Sequence, residues 1–221
     1  MTPGSDYREE WQAARASFAR ANVLLHEGLL AFSASDLQAL VDAEDRLGKD
    51  LLAELSGITE EGAEHARAAV ALRADGVEGH LYVALNLAVL GLTKSRVTAM
   101  LEGLGSRIQD AYGKALAIDP RYAAGGAYRL KGKFLMSAPW PIRDYDAAGK
   151  ALAKANEIAP VRQNYLFLGD LRFRERNLTE AVAMWQRACE TPVRPETAEI
   201  DDAVLELARR RLKAASRASQ E

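Results

Sequence analysis

Three segments of this chain end on the same kind of phrase, a run of small and large residues closed by proline. Residues 111–120 read AYGKALAIDP, 151–160 read ALAKANEIAP and 184–192 read MWQRACETP. The closing prolines, Pro120, Pro160 and Pro192, stand 40 and 32 residues apart. A helical unit that recurs at this interval and ends at a residue unable to continue a helix predicts a stack of similar helix pairs. The rest of the chain agrees. Apolar residues recur at helical spacing in each segment, as in Trp11, Phe18, Leu25, Leu29 and Phe32, and none alternates with period two for long. Alanine, the strongest helix former, supplies 41 of the 221 residues. The expectation is an all-α protein with helices near 7–32, 37–55, 59–75, 79–91, 94–118, 122–137, 144–158, 162–175, 178–190 and 196–217. Ser56-Gly57 is read as the close of the second of these.

The copies differ in quality. In 162–192, Tyr165, Leu168 and Gly169 mark a first helix, and Ala181, Trp185 and Ala188 give small, large and small positions along a second. Small residues let paired helices approach, and the large ring fills the gap between pairs. A second copy over 125–160 keeps Gly132, Ala148, Leu152, Ala155 and Pro160, with a long inter-helix stretch at 137–144. A third, over 79–120, keeps Tyr82, Leu85, Tyr112, Ala115 and Pro120 but is stretched around Gly91, Gly103 and Gly105. A fourth piece, 66–75, resembles a second helix alone. These positions resemble the tetratricopeptide (TPR) repeat, which implies a right-handed solenoid of antiparallel helix pairs. The expected layout is N-terminal helices over 1–58, about three and a half repeats over 59–192, and a capping helix and tail over 193–221, all one structural domain.

A narrower resemblance rests on irregular phrases: GHLYVALNL at 79–87, GGAYRLKG at 125–132 and APWP at 138–141. Over about 60–192 the chain is similar to the helical T-component accessory proteins of bacterial TRAP-type transporters. That resemblance implies a periplasmic lipoprotein whose repeats surround a cleft for an apolar or organic-acid ligand. The chain departs from it in showing no lipoprotein signal or lipid-acceptor cysteine. As written it therefore reads as cytoplasmic, and as periplasmic if a native signal has been removed.

Catalytic patterns are weak. Gly91-Leu92-Thr93-Lys94-Ser95 echoes the tail of a phosphate loop but lacks its second glycine and a preceding strand. His26, His65 and His80 fall on separate helices, and only Glu61 and His65 share a face. Cys189 reads as a small buried hydrophobe. No metal, cofactor or enzymatic activity is expected. A net charge of −2 gives no general pull toward nucleic acid. The most apolar run, 81–92, is too short for the roughly 20 residues that span a bilayer, so no membrane insertion is expected.

What remains is binding, of a protein partner or a small organic ligand, with self-association open at an uncapped end of the stack. In a TPR-like arrangement the first helix of each pair lines the concave side. Counting from the matched glycines, that side presents His80, Val83, Leu87 and Leu90, then Arg129, Lys133 and Met136, then Gln163, Leu166, Asp170 and Phe173. Arg129 and Lys133, one turn apart, are either a clamp for a carboxylate or two ordinary surface cations. Trp140, between Pro139 and Pro141, is either a plug over local core or an anchor for a partner. The candidate contact set is therefore His80, Leu87, Arg129, Lys133, Met136, Trp140, Gln163, Asp170 and Phe173.

Overall fold

The computed structural model describes residues 6–218, and regular structure among them is entirely helical. The long helices are α1 (Tyr7–Ala31), α3 (Lys49–Leu72), α4 (Val77–Thr93), α6 (Leu104–Ile118), α7 (Tyr122–Ser137), α8 (Tyr145–Ile158), α9 (Arg162–Arg174), α10 (Leu178–Glu190) and α11 (Asp201–Ala218). Two short helices, α2 (Leu37–Val41) and α5 (Arg96–Leu101), lie in connections, as do 3-10 turns at Ala43–Arg46 and Pro195–Ile200.

The proline-closed phrases end their helices by one shared device. At the C-termini of α6, α8 and α10 the capping residue leaves the helix for extended backbone while its N–H still reaches back one turn. Asp119 donates to the Ala115 carbonyl at 3.0 Å, Ala159 to Ala155 at 2.9 Å and Thr191 to Arg187 at 3.0 Å. Proline follows each cap, and its ring drives the preceding residue out of helical conformation. The stops are thus local, written residue by residue.

The helices pair as α1/α3, α4/α6, α7/α8 and α9/α10. First helices pack on one another in order, α1 on α4, α4 on α7, α7 on α9 and α9 on α11, and α11 returns to α1. The solenoid therefore closes end to end. Its centre is apolar where Leu25 of α1, Val89 of α4, Leu166 of α9 and Val204 of α11 meet, all buried.

Several expectations are corrected. Helix α3 runs unbroken through Ser56-Gly57, so the boundary expected at 58/59 falls inside it. Leu55, Ile58 and Thr59 are buried there, and this packing outweighs the ~1 kcal/mol that an exposed helical glycine costs. The break comes earlier, where Leu47 is extended and Gly48 caps α3. The single helix expected over 94–118 is split at Gly103, whose φ of 60° lies in the left-handed region that glycine enters without a Cβ penalty. Helix α7 opens with a left-handed turn at Ala123, Ala124 and Gly125.

Two small residues set the helix spacing. Gly169 on α9 lies against the Trp185 indole, which is fully buried. Gly62 on α3 lies against Asn86, whose amide donates to the Ala14 carbonyl at 3.1 Å and the Tyr82 carbonyl at 2.9 Å. A Cβ at either glycine would push the facing helices apart.

Candidate functional site

The inner faces of α7 and α9 meet the 3-10 turn at 43–46 and helix α11, and ion pairs stitch them together. Lys133 reaches Glu44 at 2.9 Å and Arg174 reaches Asp42 at 2.6 Å. Arg162 lies 2.7 Å from Asp201. Asp170, buried on α9, accepts from Arg211 Nε at 2.6 Å and Nη2 at 3.0 Å, a two-pronged pairing. The same carboxylate accepts from Trp185 Nε1 at 3.0 Å, tying α9, α10 and α11 at one point. Burial alone would raise the Glu44 carboxyl, but the Lys133 charge and hydrogen bond hold it below its ordinary range.

Beside this belt lies His26 of α1, buried within reach of the charges of Glu44, Lys133 and Arg211. Its Nδ1 is 2.7 Å from the Asn22 carbonyl. A carbonyl only accepts, so Nδ1 carries the proton. Burial lowers the ring's pKa and keeps it neutral.

Arg129 differs from the other inner cations. Its guanidinium donates to the carbonyls of Ala124 at 3.3 Å and Ala123 at 3.4 Å, bracing the left-handed turn. It also reaches Asn164 Oδ1 at 3.5 Å, which is long for a hydrogen bond. Among the described residues no carboxylate stands within 4.0 Å of it. Enclosure by protein lowers its pKa to about 10.

The sequence-derived contact residues thus do not form one site but fall in six places. Lys133 and Asp170 are in the ion-pair belt, and Arg129 lies apart from it. Gln163 and Phe173 are half-buried on α9, with the Phe173 ring 6.2 Å from Trp185. His80 and Leu87, with Val83, do not face inward: they floor a shallow groove of about 240 Å³ rimmed by Arg67 of α3 and Arg107 of α6. His80 is itself buried, its Nε2 donating to the Ala74 carbonyl at 2.8 Å. Met136 is sealed in core with Leu135, Leu152 and Leu171. Cys189 is half-buried on α10 where full burial was expected. His65 pairs across helices with Glu10 at 2.7 Å, in addition to Glu61 at 4.0 Å. Among the described residues no group of three or more His, Cys, Asp or Glu is placed to hold a metal ion.

Trp140 stands in the open, 82% exposed. Its turn is tied back to α7 by the Asp144 N–H, which donates to the Leu135 carbonyl at 3.1 Å, and Ile142 packs against Gly105 in the first turn of α6. Helix α5 lies on α6 as well, with Val97 63%, Met100 72% and Leu101 79% exposed. Both inter-helix connections therefore present large apolar side chains along one edge of the solenoid. The sequence reading missed the α5 residues, although their spacing of three and four on a helix outside the repeat pattern was the available signal. It also missed Glu44, Asp42, Arg174 and Arg211, whose partners are remote in the chain.

No family model matches this chain, and no curated protein matches it. Among solved structures it is similar to TTC0263, described as a thermophilic TPR protein in Thermus thermophilus. That likeness has a TM-score of 0.56 at 17% identity, covering 88% of this chain and 98% of the other. The fold is that of a TPR-type helical-repeat solenoid. Among the described residues no helix is long and apolar enough to cross a membrane.

Proposed function

We propose that this protein is a non-enzymatic binding module, a TPR-type scaffold that recognises a segment of a partner protein. The observation that carries this reading is Trp140, a large ring held on a braced turn with most of its surface in solvent. Val97, Met100 and Leu101 extend the apolar surface along the same edge. An aromatic residue presented in this way binds with little loss of freedom, because its backbone is already ordered. Recognition proceeds by burial of apolar surface with no chemical step, and the ion-pair belt keeps the frame stiff. The test is a photo-crosslinking residue placed at Met100 in the producing cell. A discrete adduct that disappears in Trp140→Ala supports the reading; an adduct pattern unchanged by that substitution, or none, defeats it.

A second reading is favoured by Arg129. A half-buried guanidinium with no carboxylate within 4.0 Å among the described residues, on which the Glu196 charge acts only from further off, suits a small organic acid held beside α7, the role of an accessory solute-binding component in a TRAP-type transporter system. Native mass spectrometry followed by a denaturing run tests it. A mass excess lost on denaturation, and absent from Arg129→Gln, supports this reading, and a bare protein of sequence mass opposes it.

A further inference from the structure

Where α11 returns to α1 the molecule carries a surface unlike the Trp140 edge. A groove of about 560 Å³ runs between the chain that leaves α1 and this last helix. Apolar side chains line part of it, Leu30, Phe32 and Leu40 on one side and Ala214 on the other, with Ser33 and Ser35 beside them. Its α11 wall carries Arg209, Lys213 and Arg217, spaced four residues apart and so on one face of the helix. At 1.5 Å per residue the three span about 12 Å.

These charges are unspent within the described residues. Glu206, the one carboxylate lining the groove there, already pairs with Arg210 at 3.0 Å. Arg210 in turn donates to the carbonyls of Leu30 at 2.6 Å and Phe32 at 3.3 Å, which caps the end of α1. Among the described residues no acid stands within 4.0 Å of Arg209, Lys213 or Arg217, although other arginines and lysines on the surface find partners. Like charges stacked four apart repel one another and destabilise the helix that carries them. Arg46, whose guanidinium sits 5.8 Å from the centre of the Phe32 ring, adds a further positive charge nearby. In a chain of net charge −2 this is a strongly cationic, partly apolar recess.

We propose that this groove docks an acidic amphipathic helix of a partner protein. Apolar side chains of that helix lie on Leu30, Phe32 and Leu40, and carboxylates at four-residue spacing meet Arg209, Lys213 and Arg217. The recess is concave, which suits the convex apolar face of a helix and keeps a flat bilayer off its floor. The charges steer the approach and set orientation, while the floor supplies the apolar contact. The groove shares no residue with the Trp140 edge, so the two stand or fall independently.

The test uses three fluorescein-labelled helical peptides measured by anisotropy against the full chain. One carries glutamates at four-residue spacing opposite leucine and phenylalanine, one is a scramble of the same composition, and one has lysine in place of glutamate. The expected result is binding of the first at least tenfold tighter than the other two, weakening as salt rises. The triple variant Arg209→Glu, Lys213→Glu, Arg217→Glu is expected to lose at least tenfold in affinity at unchanged circular dichroism. Ala34→Glu, which places a carboxylate in the groove without touching the cations, gives a second loss if the site is right. Equal binding of patterned and scrambled peptides, or no loss in either variant, overturns the proposal. So does sedimentation with vesicles of 70% phosphatidylcholine and 30% phosphatidylglycerol without peptide preference, which would make the site a lipid surface. A dimer in analytical ultracentrifugation that the triple variant dissolves would make the occupant a second copy, and overturns it equally.

Discussion

The α9/α10 and α4/α6 pairs are the same hairpin built under different constraints. In the first, three residues separate the helices, Gly169 admits the Trp185 ring, and the ring's N–H finds Asp170. Every large residue of the repeat pattern is used inside. In the second, a ten-residue connection, 94–103, carries α5, and Val97, Met100 and Leu101 end in solvent. A shorter insertion in α7/α8 leaves Trp140 outside. Agreement with the repeat marks where the protein is held together, and departure from it marks where apolar surface is left for something else.

The comparison breaks first if the matched pair is not the stability centre. Trp185→Ala should cost ~3–5 kcal/mol through lost burial and an open cavity, read as a shift in denaturation midpoint. Asp170→Asn should cost about 3 kcal/mol, because Arg211 stays buried without its counter-charge. Replacing both members, as Asp170→Leu with Arg211→Met, should recover much of that loss. If Met100→Ala on α5 cost as much as Trp185→Ala, the division between matched and inserted regions would be wrong.

The glycines sharpen the contrast at smaller magnitude. Gly169→Ala drives a Cβ into the Trp185 ring and should destabilise by ~1–3 kcal/mol. Gly91→Ala, near the end of α4, meets only Leu104 Cδ2 at 3.6 Å, an ordinary contact. There the gain in helix propensity should stabilise by about 0.5–1 kcal/mol. Opposite signs in urea titrations are the expected result, and equal signs would erase the distinction.

How much of this was legible in sequence depends on how local the cause is. The helix stops at Pro120, Pro160 and Pro192 follow from neighbours in the chain and were readable, as were the small and large positions at Gly169 and Trp185. That the ring lies against Gly169 of its own pair, where the sequence placed it in the gap between pairs, was not readable. The facing of α4 was not. Its repeat is degenerate, and His80 and Leu87 turn toward α3 and α6 because Asn86, one residue before Leu87, is drawn to the Ala14 carbonyl of α1. The adjacency of Arg129 and Lys133 was visible, but Glu44, which neutralises only Lys133, comes from a turn that no spacing rule links to α7. Closure of α11 onto α1 is a contact between the two ends of the chain, and no repeat count encodes it.

Acidification probes the inner belt. In the folded protein burial holds His26 neutral, with its pKa below the ordinary 6.5. In the unfolded chain the ring takes up a proton near pH 6.5. The unfolded state then binds more protons, so the His26 contribution is fully present above about pH 6.5 and is lost as pH falls through the folded value. Glu44, held low by Lys133, keeps its charge in this window. Urea midpoints at pH 7.5 and 5.5 should therefore diverge for the native protein and converge for His26→Gln. Parallel behaviour of the two would show that the ring is reached by water.

The smallest expected change in stability falls on the residue given the largest role in binding. Trp140 covers no core, so Trp140→Ala should move the denaturation midpoint by no more than ~0.5 kcal/mol, as for a surface site. If the ring is a partner's anchor, that same substitution should abolish the adduct formed from Met100 while leaving the circular dichroism unchanged. A loss of several kcal/mol would instead make the ring structural, packed against something in solution, and would remove the contrast between the braced turn at 138–144 and the buried Trp185. The two tryptophans are thus a matched test: one substitution should unfold without addressing recognition, the other should silence recognition without unfolding.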